Sequence, residues 1–229
     1  MNSRVTKETG FSLVELMIAM ALGLFLIGGV TGVFLSSSKT YRLQDSMSRI
    51  QESGRFASNY LAASIREAGY GLDRSDIALQ GYDSVPTLLP SGWPAKAAKA
   101  VGDVIHITDH ENTDRSMTFF VAEDVGQGNR ALFRNSDALV EGVEAIEFSY
   151  GIDDHHDYEV DRHVPAAAVD DWTQVIAVRA ALLVSSPHEG VVDTAKSFPA
   201  SSPFATFDTS DKRLYQTWFV TTALRNRLP

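Results

Sequence analysis

Cysteine is absent from the 229 residues, which excludes disulfides, zinc ribbons and thiol nucleophiles. Positive charge is in short supply: 20 Lys plus Arg face 29 Asp plus Glu, a net charge of -9. That balance argues against a nucleic-acid binder, which would need cations for the phosphates. The motifs of common catalysts are missing too. There is no Gly-x-Ser-x-Gly elbow, no His-Glu-x-x-His and no glycine-rich phosphate loop after a strand pattern. Gly126-Gln127-Gly128 reads as a hairpin turn, so no catalytic residues are assigned and an enzyme is not expected.

What the chain has is apolar character, 44% of its residues, unevenly spread. Between Phe11 and Leu35 the only charge is Glu15, with Ser12 and Thr31 as polar company. As a helix this stretch spans about 37 Å at about 1.5 Å per residue, enough to cross a bilayer. A short leader, Met1 to Gly10, precedes it and carries Arg4 and Lys7 against Glu8. Basic residues ahead of an apolar run keep the leader cytoplasmic and send the chain beyond the run across the membrane. Ala19-Met20-Ala21 has the small-x-small form of a secretory cleavage site. A secretory signal, however, should lack Glu15 and should not stay apolar as far as Leu35.

A plain anchor leaves Glu15 unexplained as well, because a carboxylate at bilayer depth costs roughly 2.5–3.5 kcal/mol on insertion scales. Gly10-Phe11-Ser12-Leu13-Val14-Glu15 closely resembles the processing motif of type IV prepilins. The resemblance implies that a prepilin peptidase cuts between Gly10 and Phe11 and methylates the new amino terminus. It also implies that Glu15 meets the terminal ammonium of a neighbouring subunit, two charges that are costly alone and tolerable together.

Apolar periodicity continues beyond the membrane-length run. Leu43, Met47, Ile50, Gly54, Ala57, Leu61, Ile65 and Ala68 fall on one helical face, opposite Arg42, Asp45, Arg49, Glu52, Arg55 and Arg66. One helix from Phe11 to about Ala68 is therefore expected, ended by Gly69, Gly71 and Asp73. Gly28 and Gly32 form a small-xxx-small pair suited to helix packing, and are expected to bend or partly unwind this stretch within a fibre. Many major pilins carry proline at the position of Gly32.

After the helix the chain reads as irregular to Lys99, with Trp93 as a core plug. Strands are expected at Val104–Ile107, Met117–Val121, around Ile146-Phe148-Tyr150, at Val175–Val184 and at Leu214–Leu224. Val175–Val184 is apolar on both faces, hence central, with Arg179 its one charge; Arg179, like Trp93, is read as core packing. Ser185 to Lys212 reads as a long surface excursion. The sum is an α+β, pilin-like fold: a long amino-terminal helix, transmembrane in its first half, packed on an antiparallel sheet head. Its parts are a cleaved leader 1–10, a membrane or fibre-core helix half 11–35, an amphipathic half 36–70 and a head 71–229.

Further residues narrow the resemblance. Arg49-Ile50-Gln51-Glu52-Ser53-Gly54-Arg55-Phe56, Arg66-Glu67-Ala68-Gly69-Tyr70, the Trp172–Leu183 strand and the ending Val220 to Pro229 are similar to PilW-type minor pilins. Members often have cysteine just after the Gly-Tyr pair, and this chain has none. The resemblance implies a minor pilin that primes type IV pilus assembly within a minor-pilin complex at or near the tip. Its implied partners are the prepilin peptidase, other minor pilins, the major pilin, the inner-membrane assembly platform and a tip adhesin. It also implies residence in the inner membrane with a periplasmic head, then in the surface pilus. The alternatives are a J-type minor pseudopilin of type II secretion and a membrane-tethered periplasmic binding module.

One cluster invites metal chemistry. Asp153, Asp157, Glu159 and Asp161 alternate as calcium-loop ligands do. The EF-hand pattern nevertheless fails: His155 replaces an acid, Tyr158 the glycine, and Val164 stands where the bidentate glutamate belongs. No cofactor is expected, with calcium the one ion this loop leaves open; otherwise it reads as a solvated acidic loop.

Overall fold

In the computed structural model, which describes residues 10–73, 75–87, 89–90, 93–108, 116–123 and 129–228, a single helix, α1, runs Leu13–Glu67. The leader before Gly10 and the Gly126-Gln127-Gly128 turn lie outside the described residues. The chain divides into two compact units, Met1–Gln44 and Asp45–Pro229, and α1 contributes to both.

In the first unit α1 is apolar on every face from Leu13 to Leu35 apart from Glu15 and Thr31, and its large side chains there, such as Phe25 at 80% and Leu26 at 67%, are exposed. An 18-residue window here has a mean hydropathy of 2.3, long and apolar enough to cross a membrane. The helix is continuous through Gly28 and Gly32. Thr31 returns its hydroxyl to the Ile27 carbonyl at 2.8 Å, which satisfies that polar group within the helix.

In the second unit α1 has a buried face made of Ser46, Ile50, Gly54, Ala57, Ser58, Leu61, Ala62, Ser64 and Ile65. Met47, expected on this face, is 46% exposed, and Ser46 takes the buried place. The face is narrow because the strands come close. A Cβ built on Gly54 would fall inside the Trp218 indole, so only glycine admits the ring there.

The described residues of the head form two antiparallel sheets where one was expected. The first is a meander of β1 (Leu79–Tyr82), β2 (Ala100–Ile107), β3 (Met117–Glu123), β4 (Arg130–Arg134) and β5 (Asp137–Glu141), in that order. The second orders β7 (Arg162–Val164), β6 (Val143–Ile152), β8 (Val175–Ser185) and β9 (Tyr215–Ala223). Strands β1, β4, β5 and β7 escape the sequence pattern because they have five residues or fewer, too short to display alternation. Gly142, at φ 78°, is the corner between the sheets: its N–H donates to the Arg130 carbonyl at 2.9 Å and its own carbonyl accepts from Ser185 N at 2.8 Å.

The main core joins Ile50, Leu61 and Ile65 of α1 to Leu79, Ile105, Phe119 and Leu132 of the first sheet and Ile146, Tyr150, Val178 and Leu182 of the second. Each sheet also has an apolar cover on its other face. On the first, Phe120 and Phe133 pack with Ala97, Tyr82 and Trp93, so Trp93 belongs to this second cluster and not to the main core. Its ring stacks on His106 at 5.4 Å.

On the second sheet, Phe204 is buried against Ala181, Leu183 and Tyr215, flanked by Phe198 and Phe207. The segment read as a surface excursion is therefore a lid without regular structure. Its scattered aromatics have no period, so composition alone hid their burial. β8 is central, as its two-faced apolarity required, but Arg179 is exposed on it and is not core packing.

The carboxyl-terminal turn locks the end of α1. Asn226 Nδ2 donates to the carbonyls of Glu67 (3.1 Å) and Ala68 (3.2 Å), two of the acceptors a helix end leaves open. Arg227, buried, donates to the carbonyls of Asp73 and Asp76.

Candidate functional site: the opening of the long helix

Ser12 is the cap of α1. Its carbonyl accepts the first intrahelical bond, from Leu16 N at 3.1 Å, and its hydroxyl accepts from Glu15 N at 3.4 Å, filling a donor that the first turn cannot use internally. Ser12-x-x-Glu15 thus has the spacing of a capping box, a local signal that lies inside the processing motif and is masked by it. Glu15 lies in the first turn, where the positive end of the helix dipole favours a carboxylate. Gly10 and Phe11 are exposed and outside the helix, with Phe11 at 86% exposure. The peptide bond between them is therefore an accessible, non-helical link directly before a capped, apolar helix. Gly28 and Gly32 have nothing within 4 Å of a built Cβ, so both face open space along the exposed part of α1.

The acidic loop between β6 and β7 has a different role from its composition. Asp153 is buried and accepts from Asp157 N (3.2 Å) and Tyr158 N (3.0 Å). Asp157 accepts from Glu159 N at 3.0 Å, and Asp161 from Asp154 N at 2.8 Å. The His155 ring sits 2.7 Å from Asp161; this contact raises the imidazole pKa and lowers that of Asp161. Arg162 clamps Asp154 through two nitrogens, which lowers the carboxyl pKa. Glu159 stands exposed. These carboxylates staple a loop that holds His156 and Tyr158 at positive φ (60° and 67°). Among the described residues no group of three or more His, Asp or Glu is placed to hold a metal ion.

A second carboxylate, which sequence reading missed, connects the sheets. Asp103 of β2 accepts from Phe148 N of β6 at 2.6 Å. Burial pushes its pKa up to about 7 against the help of that hydrogen bond, and the nearby charges of Glu147 and Asp83 push the same way. Nothing in a Gly-Asp-Val stretch distinguishes such a residue before the sheets are placed.

An exposed apolar helix opened by Gly-Phe and a first-turn glutamate, and continuing into the packing helix of an antiparallel head, defines a subunit of the type IV pilin class. Residues 6–31 match the prokaryotic N-terminal methylation motif. Residues 107–226 match the family of type IV pilus-assembly protein W, PilW, and the chain belongs to that family. A type IV-like pilin from Thermus thermophilus, TTHA1219, superposes with a TM-score of 0.37 at 15% identity, over 79% of this chain and 100% of that one. No curated protein sequence matches the chain significantly.

Proposed function

We propose that the chain is a minor pilin that primes assembly of a type IV pilus and resides at or near the tip in a complex with other minor pilins. The observation that carries this reading is the exposed Gly10–Phe11 link, placed directly before a capped apolar helix with Glu15 in its first turn, in a chain of the PilW family. The peptidase would need an extended, reachable peptide bond, and cleavage would put a new ammonium at Phe11. Once water is excluded, a neighbour's Glu15 and that ammonium offset each other's desolvation only in one register, so the pair would select subunit stagger. The protein's contribution is then binding and geometry rather than bond-making beyond its own processing.

The test is deletion of the gene in a strain that cannot retract its pili, with fibres counted by electron microscopy and secreted enzymes assayed in parallel. Loss of fibres with normal secretion is the expected result. Normal fibres with lost secretion would move the protein to a secretion system. If neither changed, a tethered module would replace the fibre reading, and intact-mass measurement would then find Phe11 never serving as an amino terminus.

A further inference from the structure

Sheet edges expose unpaired N–H and C=O groups, and proteins defend them with shortness, charge, proline or bulges. Among the described residues the two sheets have four edges, and three of them are defended. β1 has 4 residues and β7 has 3, the latter carrying Arg162. β5 has 5 residues with Asp137 and Glu141 at its ends, and its pairing with β4 is bulged. β9 differs on every count. It has 9 residues, Tyr-Gln-Thr-Trp-Phe-Val-Thr-Thr-Ala, with no charge, proline or glycine, and it pairs with β8 without a register shift.

The register shows which backbone groups lie open. Leu224 N donates to the Ile176 carbonyl and Ser186 N to the Leu214 carbonyl, both at 2.8 Å. Antiparallel partners alternate between bonded and non-bonded pairs, so the even-numbered residues of β9 spend their backbone groups on β8. The N–H and C=O groups of Thr217, Phe219, Thr221 and Ala223 then point away from the sheet, and no described residue pairs with that side. Lys196 Nζ occupies the outward carbonyl of Tyr215 at 2.7 Å, which closes the edge at that end only. Phe219 is 63% exposed on this open stretch. Beside it, a cleft of about 500 Å³ separates Ser48, Gln51, Glu52 and Arg55 of α1 from Gln216 and Trp218 of β9.

We propose that the outer edge of β9, Thr217 to Ala223, is a docking strand that receives an extended, uncharged segment of a different pilin-class subunit as a fifth strand of the second sheet. Main-chain hydrogen bonds would supply the affinity of such strand addition, and side chains entering the cleft its selectivity. The absence of charge along β9 fits a partner strand that is itself uncharged. The cleft makes the edge continuous with the solvent side of α1. On the fibre-subunit reading proposed above, α1 would lie against other subunits and a neighbour would then be within reach; to that extent the inference rests on that reading.

The experiment uses the full chain in its own pilus-bearing cells, with the photo-crosslinker p-benzoylphenylalanine in place of Phe219 and products identified by mass spectrometry. The expected product is an adduct with a different chain bearing a processed, methylated amino terminus. It should fall at least tenfold in Thr221→Pro, which deletes one outward N–H and leaves the β8 bonds intact, and persist in Thr221→Ala. Both variants should melt with the parent in detergent. Should Thr221→Pro fail to fold, Thr221→Lys, an edge charge on an intact backbone, must reduce the adduct instead. The proposal is overturned by no adduct, by an adduct indifferent to these changes, or by one only with a second copy of this chain or with a non-pilin protein. Normal fibre counts on gene deletion would sink the priming reading, whereas an adduct insensitive to position 221 would sink the docking edge alone.

Discussion

The two stretches of α1 share one backbone and carry opposite surfaces. Ahead of Gln44, large apolar side chains stand exposed: Phe25 at 80%, Leu24 at 70%, Val33 at 70%. From Ser46 onward the buried face is built mostly from Gly, Ala and Ser, with Ile50, Leu61 and Ile65 as the large members. The more hydrophobic stretch is thus the one the protein does not bury itself. Apolar area exposed on this scale implies desolvation by a bilayer or by other subunits, whereas the internal interface uses small residues because close approach needs room more than it needs hydrophobicity.

Paired substitutions can break or sharpen that contrast. The largest expected effect on the head is Leu61→Ala, which empties a fully buried site and should cost about 3–4 kcal/mol in melting experiments. Leu26→Ala, at a side chain 67% exposed, should leave head stability within about 0.5 kcal/mol in detergent. Equal losses would erase the distinction between the two stretches.

Gly54→Leu drives a side chain into the Trp218 ring and should cost about 2–3 kcal/mol, readable as a lower denaturant midpoint. Gly32→Leu meets nothing within 4 Å, so it should leave the head's midpoint unchanged while reducing fibre number if helices pack along Gly28 and Gly32. An unchanged fibre count would remove the packing role of that pair.

Asp103 tests whether the head has a titrating joint that the apolar stretch lacks. With its folded pKa near 7, above an ordinary value near 3.8, the native state holds the proton more tightly. Its stabilising contribution is therefore complete below about pH 4 and lost as pH rises through about 7, by up to about 4 kcal/mol. Asp103→Asn should flatten that dependence and leave the head more stable than the parent at pH 8, by thermal melting. A smaller loss, about 1 kcal/mol, is expected from Asn226→Ala, through loss of its two bonds to the carbonyls at the end of α1.

Legibility followed period and length. The expected helix, Phe11 to about Ala68, compares with Leu13–Glu67 because more than twelve turns of consistent patterning leave little room for another reading. The long strands β6 and β8 were equally visible, one through alternation and one through apolarity on both faces. The short strands, the lid over β8 and the seat of Trp93 were not, since each depends on partners distant in sequence. At the candidate site, Gly10, Phe11 and Glu15 were singled out by their motif, while Ser12's cap needed only its three-residue spacing to Glu15. In the acidic loop, read from its residue types as solvated with calcium left open, Asp153, Asp157 and Asp161 accept from the loop's own backbone N–H groups, a detail that only the folded loop supplies.

By itself the sequence determined the membrane-length helix, the processing motif and the family, because each is encoded in contiguous residues where hydropathy, spacing and local capping suffice. Only the tertiary structure decided that the described residues of the head form two sheets with their corner at Gly142, that Asp103 binds one to the other, and that among the described edges β9 is the long, undefended one. Those features are relations between strands far apart in the chain. A strand's place at an edge or in the middle depends on its neighbours' registers, and no local pattern carries that information.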